Sequence, residues 1–428
     1  VAVPVGTRYY WRVRACVGGN CSAYSRTYWV NVGRSDRDFN GDGFADLWVA
    51  ADMADGSASL VDAGKVFLYL GATSMSTTPT RTLVGDVDHD QFGESVSYAG
   101  DLNADGFADF AIGAQKADVI GTGLGPNVGR VYVYLGNAAA TVTAPVVLTG
   151  GAAGDVFGSY VDDAGDLNAD GYDDLLISAS SSDSGGTNNG LEQVYLGGAT
   201  FAVVADLAVV GHQAAGIGDV NNDGYGDFWG AGDVVVGNGG YYLGGPVLDG
   251  NDDWFDLYRF RPMVAAGDID EDGYADMLDQ SFEPGPVVYA HLLRGAADVT
   301  ALSSSRLGLS EDGTDKSYSP AGDFNADGHP DVATGRSTGA GEVKVFYGGP
   351  STDGTADFTI SGATSSSEKL GASLARAGDV NGDGREDLAA GALNGGKVYI
   401  YYASTTPNAT ADKILIGASA DRFGIGID

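Results

Sequence analysis

Several things are scarce in this chain, and each scarcity narrows the reading. Only 23 of 428 residues are Lys or Arg, against 58 Asp and Glu, for a formal net charge of −35. A surface of that sign repels nucleic acid and anionic lipid. No apolar run approaches the roughly 20 residues that a membrane-spanning helix needs, so membrane insertion is not expected. The four histidines, His89, His212, His291 and His329, lack the spacing of a metal site or a catalytic triad. Proline is sparse (12) and glycine abundant (68), a composition of many turns rather than long helices. The two cysteines, Cys16 and Cys21, flank a Val-Gly-Gly-Asn turn between two apolar runs. A cross-hairpin disulfide is expected there, which suits an oxidising compartment; free thiols are the alternative. The chain starts at Val1 with neither Met nor a leader and reads as a mature form or an excised piece.

What the chain does contain is one acidic pattern written seven times, Asp-x-(Asn/Asp)-x-Asp-Gly-x-x-Asp. A single copy would be no more than an Asp-Gly turn; seven with one spacing point to calcium. Calcium wants about six to eight oxygens at roughly 2.3–2.6 Å. Positions one, three and five of such a loop supply side-chain oxygens, position seven a backbone carbonyl, and position nine closes the shell. Gly at position six permits the sharp turn. The first loop offers Asp38, Asn40, Asp42, the carbonyl of Phe44, and Asp46. The second offers Asp101, Asn103, Asp105, Phe107 and Asp109, and the third Asp166, Asn168, Asp170, Tyr172 and Asp174. In the fourth these are Asp219, Asn221, Asp223, Tyr225 and Asp227; in the fifth, Asp268, Asp270, Asp272, Tyr274 and Asp276. The sixth has Asp323, Asn325, Asp327, His329 and Asp331, and the seventh Asp379, Asn381, Asp383, Arg385 and Asp387. About seven structural Ca2+ ions are expected. Without them, carboxylates about 4 Å apart repel by roughly 1–4 kcal/mol per pair near a surface.

These are not helical EF-hand loops. That loop needs a bidentate Glu at position twelve, where this chain has Val49, Ile112, Ile177, Gly230, Asp279, Thr334 and Ala390. The residues after each Gly alternate or run apolar for a few positions, as strands do. Loop-to-loop spacings are 63, 65, 53, 49, 55 and 56 residues, a period that suits propeller blades. Each loop is followed by an apolar strand, then by an aromatic-rich strand ending in Gly or a small residue, such as Val66-Phe-Leu-Tyr-Leu-Gly. The copy near His291 is degraded. A weaker strand and an acidic residue with Phe-Gly or Leu-Gly come next, at Asp90, Asp155, Glu368 and Asp421. Repeats four to six lack that pair.

These residues resemble the FG-GAP repeat of integrin α-subunit propellers and their bacterial relatives, with the stretch from Phe92 to Ala114 close to a consensus copy. The resemblance implies an all-β fold: a seven-bladed β-propeller of four-stranded antiparallel blades over residues 34–428. It also implies calcium in the seven loops and a role in adhesion or ligand recognition. Residues 1–33 resemble the last hairpin of a fibronectin type III-like domain, an N-terminal β-hairpin fragment. A lone hairpin is marginal in water, so it is expected to pack on the propeller or to belong to a neighbouring domain of a longer chain.

The first loop has no Phe-Gly strand before it, and the chain ends in a Phe-Gly strand, Phe423–Asp428, with no loop after it. The tail is therefore expected to fill the vacant place in the first blade, with Tyr28-Trp-Val-Asn-Val as the competing candidate. Loops joining second to third strands open on the face opposite the calcium loops. They are longest at 51–64, 115–129 and 180–190, so an unknown protein or glycan ligand is expected on that face. Asp86, Asp88 and Asp90 alternate like part of an ion site but read better as a solvated acidic loop. Asp183-Ser-Gly-Gly and Gly335-Arg-Ser-Thr-Gly resemble nucleophile motifs without the required context, and no enzyme is expected. The reading is a secreted or cell-surface calcium-stabilised adhesion or ligand-binding module. The alternatives are a carbohydrate-binding propeller lectin and a non-catalytic accessory domain of a secreted polysaccharide- or lipid-degrading enzyme.

Overall fold

Strand-forming stretches and glycine-rich turns alternate along this chain, and each strand pairs with its neighbour in sequence. The computed structural model describes residues 7–17, 20–22, 28–32, 36–118, 124–184, 188–231, 239–256, 263–282, 288–311, 316–350, 352–363 and 367–428. Among them are six four-stranded antiparallel sheets and one of three strands, each a simple meander in sequence order. These are the seven blades. Blade 2, for example, runs Ser95–Tyr98, Phe110–Ala114, Arg130–Tyr134 and Val146–Thr149.

The first strands of successive blades lie side by side around a central axis. Second strands are buried on both faces, because each blade packs against two others. All positions of Leu47–Ala51, Phe110–Ala114, Asp174–Ala179, Asp227–Ala231 and Asp387–Ala392 are buried, which explains their near-continuous apolar runs. Outer strands such as Lys413–Ile416 alternate. Core clusters fill the gaps between blades; one joins Trp48, Phe92 and Phe110 across blades 1 and 2.

Blades 4 to 6 are four-stranded without Phe-Gly. At the entry to blade 4 a buried carboxylate takes over: Glu192 accepts the backbone N–H of Gln213 at 3.1 Å, and burial raises its pKa well above the usual value. The degraded sequence around His291 still forms a strand, Val288–Arg294.

The three-stranded blade is the first, and the tail completes it. Trp48 and Asp428 exchange two backbone hydrogen bonds (2.7 and 3.0 Å), Ala50 donates to Gly426 (2.8 Å), and Gly424 donates to Ala50 (2.8 Å). Val49 and Ile427 form an antiparallel bridge. The competing segment, Tyr28–Val32, pairs with Thr7–Trp11 instead. Cys16 and Cys21 face each other on a short two-stranded ladder and are disulfide-bonded.

Candidate metal centres

The seven loops share one backbone. Position six is Gly with φ between 86° and 100° in every copy (Gly43, Gly106, Gly171, Gly224, Gly273, Gly328, Gly384), the region that L side chains avoid. Position four also has positive φ, although Ala104, Ala169, Asn222, Glu271 and Ala326 are not glycine. The pattern Asp-x-Asn-x-Asp-Gly announces the first constraint and hides the second.

Within each loop the side chains are already aimed. The position-one Asp accepts the backbone N–H of position five in all seven loops, from 2.9 Å in the sixth to 3.1 Å in the first. In six it also accepts the N–H of the Gly at 2.7–2.9 Å. The position-five Asp accepts the N–H of position seven at 3.0–3.1 Å throughout. Both oxygens of the position-one Asp in those six loops, and one oxygen of each position-five Asp, are thus tied to backbone, and the loop is held in the turn that turns its oxygens inward.

Position nine does something the sequence did not announce. Asp46, Asp109, Asp174, Asp227, Asp276, Asp331 and Asp387 are all 0% exposed. One oxygen of each accepts the N–H of position two of its own loop at 2.9–3.2 Å. The other accepts the N–H of the small residue after the third strand of its own blade (Gly71, Gly136, Gly197, Gly244, Gly295, Gly348 or Ala403) at 2.8–3.0 Å. The carbonyl of position two in turn accepts an N–H from the following blade. The donors are Asn137, Gly198, Gly245, Ala296, Gly349, Ser404 and, closing the ring from blade 1 to blade 7, Ala72. Every loop is wired to its blade and to the next one.

That wiring explains why glycine follows the third strand in six of the seven blades. A Cβ on Gly348 would lie 1.9 Å from the Pro330 carbonyl oxygen, and one on Gly244 2.1 Å from that of Gly226. Gly348→Ala is expected to cost about 1–3 kcal/mol, the range for overpacking a tight site, and thermal denaturation would read it. An unchanged melting temperature would mean that the close approach is not required.

The electrostatics ask for a cation. Burial pushes the position-nine carboxyls up, to about 8 for Asp174 and Asp387, about 7 for Asp227 and Asp331 and about 6 for Asp276. Asp46 and Asp109 are also raised well above the usual value, again by burial. Hydrogen bonds from two N–H groups leave each of these carboxylates with free lone pairs. In the fifth loop Asp268, Asp270 and Asp276 bring ligand oxygens within 4.8 Å of one another. Oδ1 of Asp270 is buried without a hydrogen-bond partner. This loop alone has Asp at position three, and Arg294 offsets the extra charge through Nε, 2.8 Å from Asp270. The donor set fits a hard cation of calcium type.

Other candidates fare differently. Asp86, Asp88 and Asp90 turn to separate partners: the Tyr132 hydroxyl, the Val61 N–H and the Asp118 N–H. Gly335 and Arg336 lie on an antiparallel strand followed by a turn, not a helix. Of Asp183-Ser-Gly-Gly, the two glycines fall outside the described residues. The three long loops join second to third strands as expected, with 119–123 and 185–187 outside the described residues. Trp48 and Trp229 are fully buried in the core.

Comparison with known proteins follows these loops. The FG-GAP repeat model matches residues 35–69, 92–134 and 160–196, and the FG-GAP-like repeat model matches 323–390. Five of the seven loops lie inside those stretches; the fourth and fifth lie outside. The chain is 30% identical over 195 residues to integrin alpha-5 of Xenopus laevis, covering 42% of this chain and 18% of that one. It is 33% identical over 150 residues to integrin alpha-IIb of Mus musculus, covering 33% and 14%. The matched segments therefore span less than a fifth of either relative. A crystal structure of a protein from Lactobacillus plantarum aligns over 89% of this chain and 98% of its own, with TM-score 0.51 and 11% identity, a likeness of fold alone.

Proposed function

We propose, from the premise that the chain is a seven-bladed β-propeller of FG-GAP repeats, that it is a calcium-stabilised, non-catalytic ligand-binding module working outside the cell. The observation that carries the calcium half is the burial and double backbone hydrogen bonding of all seven position-nine carboxylates. An ion held there stiffens the contact between blades and is closed to a substrate. The seven loops, with the thirty-five residues named for them, are the proposed sites, and native mass spectrometry should count about seven ions per chain.

The ligand half rests on likeness to integrin α-subunits and on the long loops at 51–64, 115–129 and 180–190. Loops on a rigid scaffold are where recognition concentrates. The hairpin disulfide supports a secreted or cell-surface setting. Residues 1–33 are proposed as a separate fibronectin-like piece and 34–428 as the propeller.

The test is a binding screen of the calcium-loaded chain against matrix proteins and a glycan array. Replacing 119–125 with a short Gly-Ser turn, which spares the buried Ala117, should weaken the ligand it finds by about tenfold or more and leave melting nearly unchanged. Binding to glycans alone would make the module a lectin. A ligand indifferent to all three loops would place recognition elsewhere.

A further inference from the structure

At the calcium-loop end of the central channel, the inner strands enclose a cavity of about 610 Å³. That is within the usual size of small-molecule sites, roughly 300–1,000 Å³. Its wall is uneven. Blades 5 and 6 contribute Val264, Ala265 and Pro320, an apolar arc. Blades 1, 3 and 7 contribute charge of both signs, and blade 2 the neutral Ser97 and Tyr98.

The two signs are not equally satisfied. Arg37 is ion-paired with Asp428 of the closing tail and lies over the Tyr98 ring, 5.4 Å from its centroid. Arg376 is ion-paired with Asp36, and with Glu386 at 2.9 Å. Both cations in the wall are thus ion-paired, although Nε of Arg37 is buried without a hydrogen-bond partner. The remaining carboxylates, Asp162 and Asp163, accept hydrogen bonds from neutral groups. Asp162 takes the N–H of Gly216 at 3.1 Å and the hydroxyl of Ser97 at 3.3 Å; Asp163 takes the N–H of Gly165 at 2.9 Å. The field of Arg37 lowers the pKa of both. Among the described residues, these two adjacent carboxylates in a partly enclosed cavity face an apolar wall with no ion pair of their own.

We propose that this cavity binds a small organic cation, an ammonium or amidinium head on a short apolar body. The head pairs with Asp162 and Asp163 and the body lies against Val264, Ala265 and Pro320. Burial, the first cause, holds the two carboxyls at about 6 and about 7 in the empty cavity, and a bound cation offsets that cost. The site lies on the face away from the long loops and is independent of the ligand proposed above.

The experiment is calorimetric titration of the full calcium-saturated chain at about 0.15 M salt, where surface charge is largely screened. The probes are n-pentylammonium and benzamidinium, with potassium and magnesium as inorganic comparators. One saturable site is expected for an organic probe, with Kd below about 1 mM. Asp163→Asn and, separately, Ala265→Leu should each weaken it by about tenfold or more, leaving the calcium count unchanged. Should Asp163→Asn not fold, Ala265→Leu decides alone, since it blocks the cavity without touching a charge. No saturable binding of either probe, binding that Ala265→Leu leaves unchanged, or equal occupancy by potassium or magnesium would overturn the proposal.

Discussion

Removal of calcium is expected to lower the melting temperature by about ten degrees or more. One site at a free concentration one hundred times its Kd adds about 2.7 kcal/mol, and seven sites act on the same ring. The loops do not stand apart from the core: each position-nine carboxylate joins its loop to its own third strand, and each position-two carbonyl joins it to the next blade. Emptying the loops therefore loosens contacts between blades as well as turns. The effect has a sign in pH. Five of the position-nine carboxyls are raised by burial to about 6–8, and Asp46 and Asp109 are raised well above the usual value. A raised carboxyl favours the fold in its protonated form, so its contribution is full below the unfolded value near 4 and is lost as pH climbs through 6 to 8. The metal-free chain should then melt higher at pH 5.5 than at pH 8. Calcium reverses this, because it binds the deprotonated carboxylates and competes with protons. The calcium-dependent rise in melting temperature should be larger at pH 8. Scanning calorimetry with and without chelator at both pH values measures it, and a rise of under a degree, or one independent of pH, would falsify structural calcium.

Deletion of residues 421–428 should be nearly as damaging. The tail supplies the fourth strand of the first blade through four backbone hydrogen bonds at 2.7–3.0 Å. Phe423 is 1% exposed and packs edge-on to Phe67 at 5.5 Å; truncating a buried Phe costs about 3–5 kcal/mol. Arg422 lies 2.7 Å from Asp52, which is fully buried. Burial and then Glu94 push the Asp52 carboxyl up to about 8 even beside Arg422, so without the arginine it is expected to take up a proton. The inner edge of Leu47–Ala51 would then be open to another chain. The expected result is a large fall in melting temperature together with dimers or larger species on size exclusion. Arg422→Met tests the ion pair separately and should give a smaller fall without association. A truncated chain that melts like the parent and stays monomeric would rule out closure by the tail.

Much of this was legible from residues. The seven loops sit where the acidic pattern places them, because each needs only nine consecutive residues and one glycine with positive φ. The strands follow from apolar runs and turn glycines, so the blade count needs only the loop count. Less legible was why third strands end in a small residue: the sequence carries the signal at Gly71, Gly136 and Gly348, but the reason is a carbonyl from the same blade's loop packed against them. The use of position nine was hidden too, since Asp is a calcium ligand and a backbone acceptor alike.

The sequence by itself determined the repeat, the acidic loops, the strand order within a blade and the cysteine pair, all written in local patterns that recur. Tertiary structure decided which of two segments closes the ring, the wiring between blades and the uneven charge of the channel wall. Those depend on residues as far apart as Arg422 and Asp52, 370 positions, or Tyr98 and Asp428, 330 positions. No local pattern relates such pairs. They meet because the blades pack around one axis and bring residues 421–428 against blades 1 and 2.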